Sequence, residues 1–350
     1  MMENRSFDHF LGWLPSADGK QAGLTYIDRD GTAHATYPLA PDYQGCGHPD
    51  PDHSYAGGRA QYNDGACDGF LRAGSSDVYA IGYYTRRDLP FLGEAALRWT
   101  TCDRYFSSFM GPTFPNRIYQ HAAVTDRIVN SFTVSTLPTI WDRLAERGLR
   151  GTYYYRNLPL LALWGSKYNS LSRPYEQFLA DCKRGRLPHV AFVDPLFTGK
   201  AEGTAADDHP HADIRAGEYF LYRTYKAVTS SPAWPRTVLV INYDEWGGFF
   251  DHVSPPPAPD VDAAFELRGF RVPCLLISPF ARRGYVAHGV YDHTSILKMI
   301  EWRWNLAPLS IRDANAKNLA AALDFSSRNL AASDFKVPRV LAGQPCPGPS

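Results

Sequence analysis

No run of about 18 apolar residues occurs in this 350-residue chain; the longest apolar stretches, such as Leu158 to Trp164 and Cys274 to Ile277, are too short to span a bilayer. Net charge is also lacking. Lys plus Arg balance Asp plus Glu at 36 each, so no global basic field gathers nucleic acid, and any anion must be handled locally. Cysteine is sparse, six residues in all, which excludes a disulfide scaffold. Cys46 and Cys67 flank a polar loop, where a pair and two buried thiols are both open readings. The chain has no internal repeat and no Pro-, Gly- or Ser-rich linker that would divide it. It opens on MMENRSFDHF, with no basic segment followed by an apolar run, so these residues encode no export signal. Apolar material is sufficient: 44% hydrophobic residues, with 21 Tyr, 19 Phe and 8 Trp, exclude disorder as the dominant state.

The first hundred residues are rich in turn signals and read as a loop-rich lid over a scaffold. Beyond Thr101, helical and strand patterns alternate. Leu137 to Gly148 is helical, Gly151 to Tyr155 strand-like, Pro174 to Lys183 helical and His189 to Asp194 a strand. Asp213 to Ser230 then reads as a long amphipathic helix, Thr237 to Tyr243 and Pro273 to Ser278 as apolar strands, and Asp292 to Asn305 as a helix. This order predicts an α/β fold with a mostly parallel central sheet covered on both faces. Ligands of such sheets bind beyond the carboxyl ends of the strands, so the polar residues that follow each strand are the first candidates.

Strand TVLVINY runs into Asp244 and Glu245 before a Gly-Gly turn. Adjacent carboxylates there form either a solvated turn or a seat for a hard cation that relieves their repulsion. Glu3 and Asn4 offer two more oxygen donors. In MGPTFPNR, Gly111 and two prolines place Thr113 ahead of a helical run, where a hydroxyl either caps the helix or faces a bound phosphate. His209 and His211 lie in the polar segment DDHPHAD, suited to a general acid or a substrate contact. His48 and His53 lie in the lid, and His252 follows the Gly-Gly turn. Helix-start chemistry accounts for His293, and His121, His189 and His288 read as structural.

Together these segments resemble the bacterial phosphoesterase family that includes non-haemolytic phospholipases C and respiratory-burst-inhibiting acid phosphatases, a branch of the alkaline-phosphatase-like superfamily. The segments that carry the resemblance are ENRSFDHFLGW, DPDHSYAGGRAQYNDGACDGF, GPTFPNR, DDHPHADIRAGE, YDEWGGFFDHVSPP and SPFARRGYVAHGVYDHTSILKMIEWRWNL, spread over about residues 1–324. The resemblance implies a three-layer α/β sandwich and one catalytic domain over residues 1–350, with a lid at about 13–100 and a tail at 325–350. It implies Thr113 as nucleophile, and Glu3, Asn4, Asp244 and Glu245 as ligands of one divalent cation (Mg, Ca, Mn or Zn) that also touches the Thr113 oxygen. On the same basis His209 protonates the leaving group, His53 contacts the phosphoryl group, and Asn116 and Arg117 contact the anion. Family members carry an apolar strand just ahead of the first motif, so a strand and an export signal upstream of Met1 are expected. Without them the chain would be cytoplasmic.

The expected activity is metal-dependent hydrolysis of a phosphoric ester by a covalent phosphothreonine route. A phospholipase C-like diesterase is favoured because Thr stands at the nucleophile position and Tyr55, Tyr62, Phe70, Tyr83 and Tyr84 offer faces for a quaternary ammonium group. A phosphomonoesterase is the runner-up, and a non-catalytic binder of phosphorylated ligands is the alternative of another class. The expected partner is a small phosphoester or a phospholipid, with no nucleic acid.

Overall fold

Alternating apolar strands and amphipathic helices build an α/β fold, and the computed structural model describes residues 1–197 and 203–346. The elements that frame the site are, in chain order, helix α1 (Phe7–Leu11), strand β1 (Thr100–Cys102), helices α2 (Thr113–Ala122) and α3 (Ile140–Glu146), strands β2 (Gly151–Tyr155) and β3 (Ser172–Pro174), and helix α4 (Tyr175–Lys183). Strand β4 (Val190–Val193), helix α5 (Ile214–Thr229), strands β5 (Leu239–Asn242), β6 (Cys274–Ile277) and β7 (Tyr285–Ala287), and helix α6 (His293–Trp304) complete the frame. From β2 onward each lies where the apolar pattern predicts it, except the three-residue strands β3 and β7, which the pattern did not mark. Capping chemistry sets the helix starts: Thr139 and Asp142 form a capping box on α3, Asp213 caps α5, and Asp292 caps α6.

One sheet runs β3-β2-β4 with both pairings parallel. A second, larger sheet runs β5-β6-β1-β7 beside three two-stranded ones among the described residues, and in it β6 is antiparallel to β5 and to β1, so only β1 and β7 pair in parallel. The three-stranded sheet is thus parallel, as expected, and the four-stranded sheet is mixed. The connection explains it. Residues 243–273 between β5 and β6 contain no α-helix, and without a crossover element a strand returns beside its neighbour in the antiparallel sense.

Between β4 and β5 lies an apolar cavity of about 740 Å³ whose walls include Val190, Phe192, Phe220, Leu239 and Leu297. At its mouth Met1 N donates to the Val193 carbonyl, and Met2 pairs in parallel with Tyr243.

The lid is not a cover laid over a finished core. Phe70, Tyr79, Ile81, Tyr84, Phe91 and Trp99 are fully buried and share one cluster with β5 and β6. Elements this short cannot bury their own apolar faces, so they pack on the sheet. Cys67 stays a buried free thiol, and Cys46 instead bonds Cys346, 300 residues along the chain. The tail returns to the lid only in three dimensions, and Phe335 packs against Phe91 and Tyr225 on the way. Positions 347–350 of the tail lie outside the described residues.

Buried arginines stitch the irregular segments. Arg271 lies 3.0 Å from Asp8 and 2.9 Å from Asp251, and His252 Nδ1 meets the same Asp8 at 2.5 Å. Although Asp8, Asp251 and His252 are close enough to hold an ion, the Arg271 guanidinium already supplies their positive charge. Burial pulls the His252 pKa down, but the hydrogen bond and charge of Asp8 outweigh it and the net shift is upward. A histidine whose pKa is raised on folding stabilises the fold fully below its unfolded value of about 6.5, and that contribution is lost as pH climbs through the folded value. His252→Gln should therefore cost more stability at pH 6 than at pH 9, as read by urea denaturation; an equal loss at both would show that the imidazole stays neutral.

Candidate active site

Strand β5 ends at Asn242, and the chain passes through Tyr243 into Asp244 and Glu245, both fully buried. The first residues lie alongside: Met2 N donates to the Asn242 carbonyl at 2.8 Å, and Asp244 N donates to the Met2 carbonyl at 3.1 Å. That pairing sets Glu3 and Asn4 beside Asp244 and Glu245. Asn4 takes φ 58°, a left-handed conformation that Asn adopts more readily than most residues, and its N–H reaches Asp244 Oδ1 at 3.2 Å. Gly247 closes the turn over it with φ 66°, and a Cβ there would lie 2.1 Å from the Asn4 carbonyl oxygen. Only glycine satisfies both conditions. Gly247 N in turn donates to Glu245 Oε2 at 2.6 Å and fixes that carboxylate.

Helix α2 begins at Thr113, directly after Pro112. Asn116, expected at the anion, instead holds the turn together: its oxygen accepts from Phe109 N at 2.9 Å, and its amide donates to the Phe109 and Gly111 carbonyls at 3.0 and 2.9 Å. Arg117, also expected at the anion, is 1% exposed. Its guanidinium lies 2.7 Å from Glu3, 2.9 Å from Asp194 and 3.1 Å from Asp244. Three carboxylates take up the fork that would bind a phosphoryl group. Thr113 and Arg117 are four residues apart and share one helix face, so the ion pairs of Arg117 with Glu3 and Asp244 fix the helix on which Thr113 stands.

Four carboxyl groups, on Glu3, Asp194, Asp244 and Glu245, thus surround one guanidinium. Burial raises the pKa of Glu3 and of Glu245 well above the ordinary carboxyl range, and the charge of Asp244 raises both further. Burial also raises Asp194, against the pull of Arg117. Among the described residues, Asn4 Oδ1 and Glu245 Oε1 are buried without a hydrogen-bond partner, a state that costs about 1–3 kcal/mol per group. Surplus buried negative charge with orphaned oxygen acceptors fits a hard divalent cation.

Of the three predicted active-site histidines, His53 reaches this cluster and His209 stands behind it. His53 Nδ1 meets the Pro51 carbonyl at 2.8 Å, and its Nε2 lies 3.4 Å from Asn4 Nδ2 and 3.8 Å from Glu245 Oε1. His209 Nδ1 meets the Pro210 carbonyl at 2.9 Å, its Nε2 lies 3.9 Å from Asp50, and its ring centre is 5.8 Å from that of His53. His211 lies outside the group, with Nε2 2.9 Å from the His48 carbonyl.

An open cavity of about 460 Å³ adjoins the site, lined by Asp50, Asp52, His53, Tyr55, Pro112 and the 128–130 segment among others. Its wall carries two aspartates and neither Lys nor Arg. Of the aromatics expected to face a ligand, Tyr55 alone lines it; Phe70 and Tyr84 are core residues. Tyr55 itself is engaged, with the Arg59 guanidinium 3.3 Å over its ring and Phe109 stacked at 5.6 Å.

Sequence reading passed over Asp194, Asp50 and the part that His293 plays. Asp194 is the first polar residue after β4, the same signal that marked Asp244 after β5. His293 Nε2 bonds the Asp244 carbonyl at 2.7 Å, and burial lowers its pKa to about 4, so a neutral imidazole holds that strand end in place.

The model of the phosphoesterase family matches residues 1–307. The chain belongs to the phosphoesterase family. Phospholipase C B of Mycobacterium tuberculosis is 32% identical to it over 409 aligned residues, covering 93% of this phosphoesterase and 77% of that protein. Non-specific phospholipase C1 of Arabidopsis thaliana is also 32% identical, covering 90% and 68% respectively, so relatives extend beyond bacteria. Among solved structures, a protein of the alkaline phosphatase superfamily from Vibrio parahaemolyticus aligns with TM-score 0.42 at 11% identity, over 81% of this chain and 74% of that one. The phosphoesterase is a phosphoric ester hydrolase with an α/β fold.

Removing the guanidinium should unbalance the whole cluster. Arg117→Ala leaves three buried carboxylates uncompensated, and a loss of about 3–5 kcal/mol is expected in chemical denaturation; a loss below about 1 kcal/mol would mean that water reaches these acids. Glu245→Gln works in the opposite direction. A carboxyl whose pKa is raised on folding weighs against the folded state increasingly as pH rises above the unfolded value of about 4.3. Chelator-treated Glu245→Gln should therefore melt above chelator-treated wild type at pH 8 and level with it near pH 4. Added divalent cation should stabilise the wild type more than the variant.

Proposed function

We propose that this phosphoesterase is a phospholipase C-like diesterase in which Thr113 is the nucleophile. The observation that carries the reading is the helix α2 face on which Thr113 stands one turn before Arg117, with Arg117 bound to Glu3, Asp194 and Asp244. In the first step Thr113, its hydroxyl proton already released to solvent, forms a bond from its oxygen to phosphorus while the bond to the leaving alkoxide breaks, and protonated His209 gives the leaving oxygen its proton. In the second step water attacks phosphorus, the bond to Thr113 breaks, and His209 takes the proton back. His53 serves as a contact for the phosphoryl group. Asn116 holds the turn, and Arg117 anchors the helix beneath it.

Glu3, Asn4, Asp244, Glu245 and the Thr113 oxygen would hold one divalent cation, which when bound lowers the pKa of the threonine hydroxyl and neutralises non-bridging phosphate oxygens. Asp50 and Asp52 in the cavity wall support a diester with a neutral or cationic alcohol, because a dianionic monoester would meet two carboxylates. The Cys46–Cys346 bond supports an exported location, since such bonds persist in oxidising compartments.

The test compares p-nitrophenyl phosphorylcholine with p-nitrophenyl phosphate, each with and without chelator. Faster, chelator-sensitive cleavage of the diester is expected; faster cleavage of the monoester would move the protein to the acid phosphatases, and no cleavage of either with metal restored would leave a binding protein. Thr113→Ala should lower kcat on the order of 10⁴-fold while leaving the melting temperature near that of wild type. Near-normal turnover in that variant would remove Thr113 from the mechanism.

A further inference from the structure

At the rim of the substrate cavity the chain forms a surface segment, 128–134 (IVNSFTV), in which Ile128, Val129, Phe132 and Val134 are 39, 55, 76 and 58% exposed. Other exposed large apolar residues are scattered along the chain, which is unremarkable for a protein surface. Four within seven residues form a patch, and such patches mark interaction sites. The segment also lacks charge: residues 128–141 include no Asp, Glu, Lys or Arg, in a chain that is 21% charged.

The segment is held outward by polar bonds at its base. Arg127 pairs with Asp126 at 2.6 Å and donates to the Ser131 carbonyl at 2.6 Å, and Ser135 N donates to the Leu163 carbonyl at 2.8 Å. The apolar side chains are therefore presented to solvent by a built loop that does not fold back onto the core. It is continuous with the catalytic apparatus. Ile128, Val129 and Asn130 line the cavity beside Pro112. Asn130 Oδ1 accepts from Phe114 N at 2.8 Å, so this loop supplies the acceptor that satisfies the start of the Thr113 helix. Phe132 meets Phe114 edge-on at 5.2 Å.

We infer that loop 128–134 is the docking element for a phospholipid surface, inserting Phe132 and Val134 at the acyl boundary while the cavity behind it receives the headgroup. The inference rests on the phospholipase C reading. The scissile phosphate of a phospholipid lies in the headgroup layer, a few ångströms above the acyl chains, so a pocket that receives it needs an apolar rim at about that depth. An uncharged loop with an aromatic tip meets this requirement, since charge would have to be dehydrated on insertion and aromatic rings favour the interface.

The experiment uses the full chain with Phe132→Asp and Val134→Asp, neither of which lines the cavity, and reads two quantities separately. Sedimentation with phosphatidylcholine vesicles measures docking, and p-nitrophenyl phosphorylcholine in free solution measures chemistry. Vesicle binding should fall about tenfold or more in Phe132→Asp, with hydrolysis of the soluble ester within twofold of wild type and an unchanged melting temperature. Loop-dependent vesicle binding by a chain that hydrolyses no ester would still support the docking element while removing the diesterase reading. Equal vesicle binding by wild type and both variants would overturn the inference, as would wild type that cleaves the soluble ester yet binds no vesicles. Self-association that depends on Phe132 without vesicle binding would overturn it too, by making the loop an interface between copies.

Discussion

The arrangement of the active site depends on one buried cation, the guanidinium of Arg117. An arginine taken out of water needs its charge opposed and its donors met; here Glu3, Asp194 and Asp244 oppose the charge, and Asp194 and Asp244 also accept hydrogen bonds from it. Those partners come from three places: the start of the chain, the end of β4 and the end of β5. The ion cluster therefore joins the two sheets at the point where their strands terminate, and it fixes the helix that carries Thr113. Because four carboxyl groups meet one guanidinium, the neutralisation is incomplete. The residual negative charge is the feature that fits the cation of the proposed mechanism.

The same device recurs wherever regular structure is thin. Arg271 ties α1 to the 251–252 segment through Asp8 and Asp251. Arg312 and Arg268 converge on Asp292 at the start of α6, and although burial opposes ionisation, the two guanidinium groups hold that carboxyl far below its usual range. A chain with long connections between short strands has few ladder hydrogen bonds to spend on its loops. Multidentate arginines substitute for them, since each guanidinium can bind several backbone or carboxylate oxygens at once. The lid is held in part this way and in part by the aromatic core beneath it, which is why it is a fixed wall of the cavity.

Much of this was legible in the sequence. The elements from β2 to α6, apart from the short strands β3 and β7, followed from hydrophobic periodicity, and two of the candidate ligands followed from the rule that function sits after the strand ends. Asp244 and Glu245 satisfied that rule, and so did Asp194, whose selection needed only the same rule applied to HVAFVD. The roles of Asn116 and Arg117 were read from their place in a motif, and sequence could not tell an arginine that meets an anion from one whose donors turn inward to carboxylates of the fold. Both residues follow Thr113 closely, but the helix places Arg117 on the inner face, where carboxylates from distant segments consume its donors. The lid aromatics failed as a cage for a related reason: burial of Phe70 and Tyr84 is decided by what packs on them.

Local chemistry therefore belonged to the sequence. Periodicity set where helices and strands form, caps set where helices begin, and the Gly-Gly turn after Glu245 was marked because only glycine reaches those backbone angles. Tertiary structure alone decided the rest: the antiparallel sense of β6, the Cys46–Cys346 bond, the three partners of Arg117 and the exposed apolar loop beside the cavity. Each of these is a relation between residues far apart along the chain. Its energy depends on distance and on exclusion of water, and neither exists until the chain has folded.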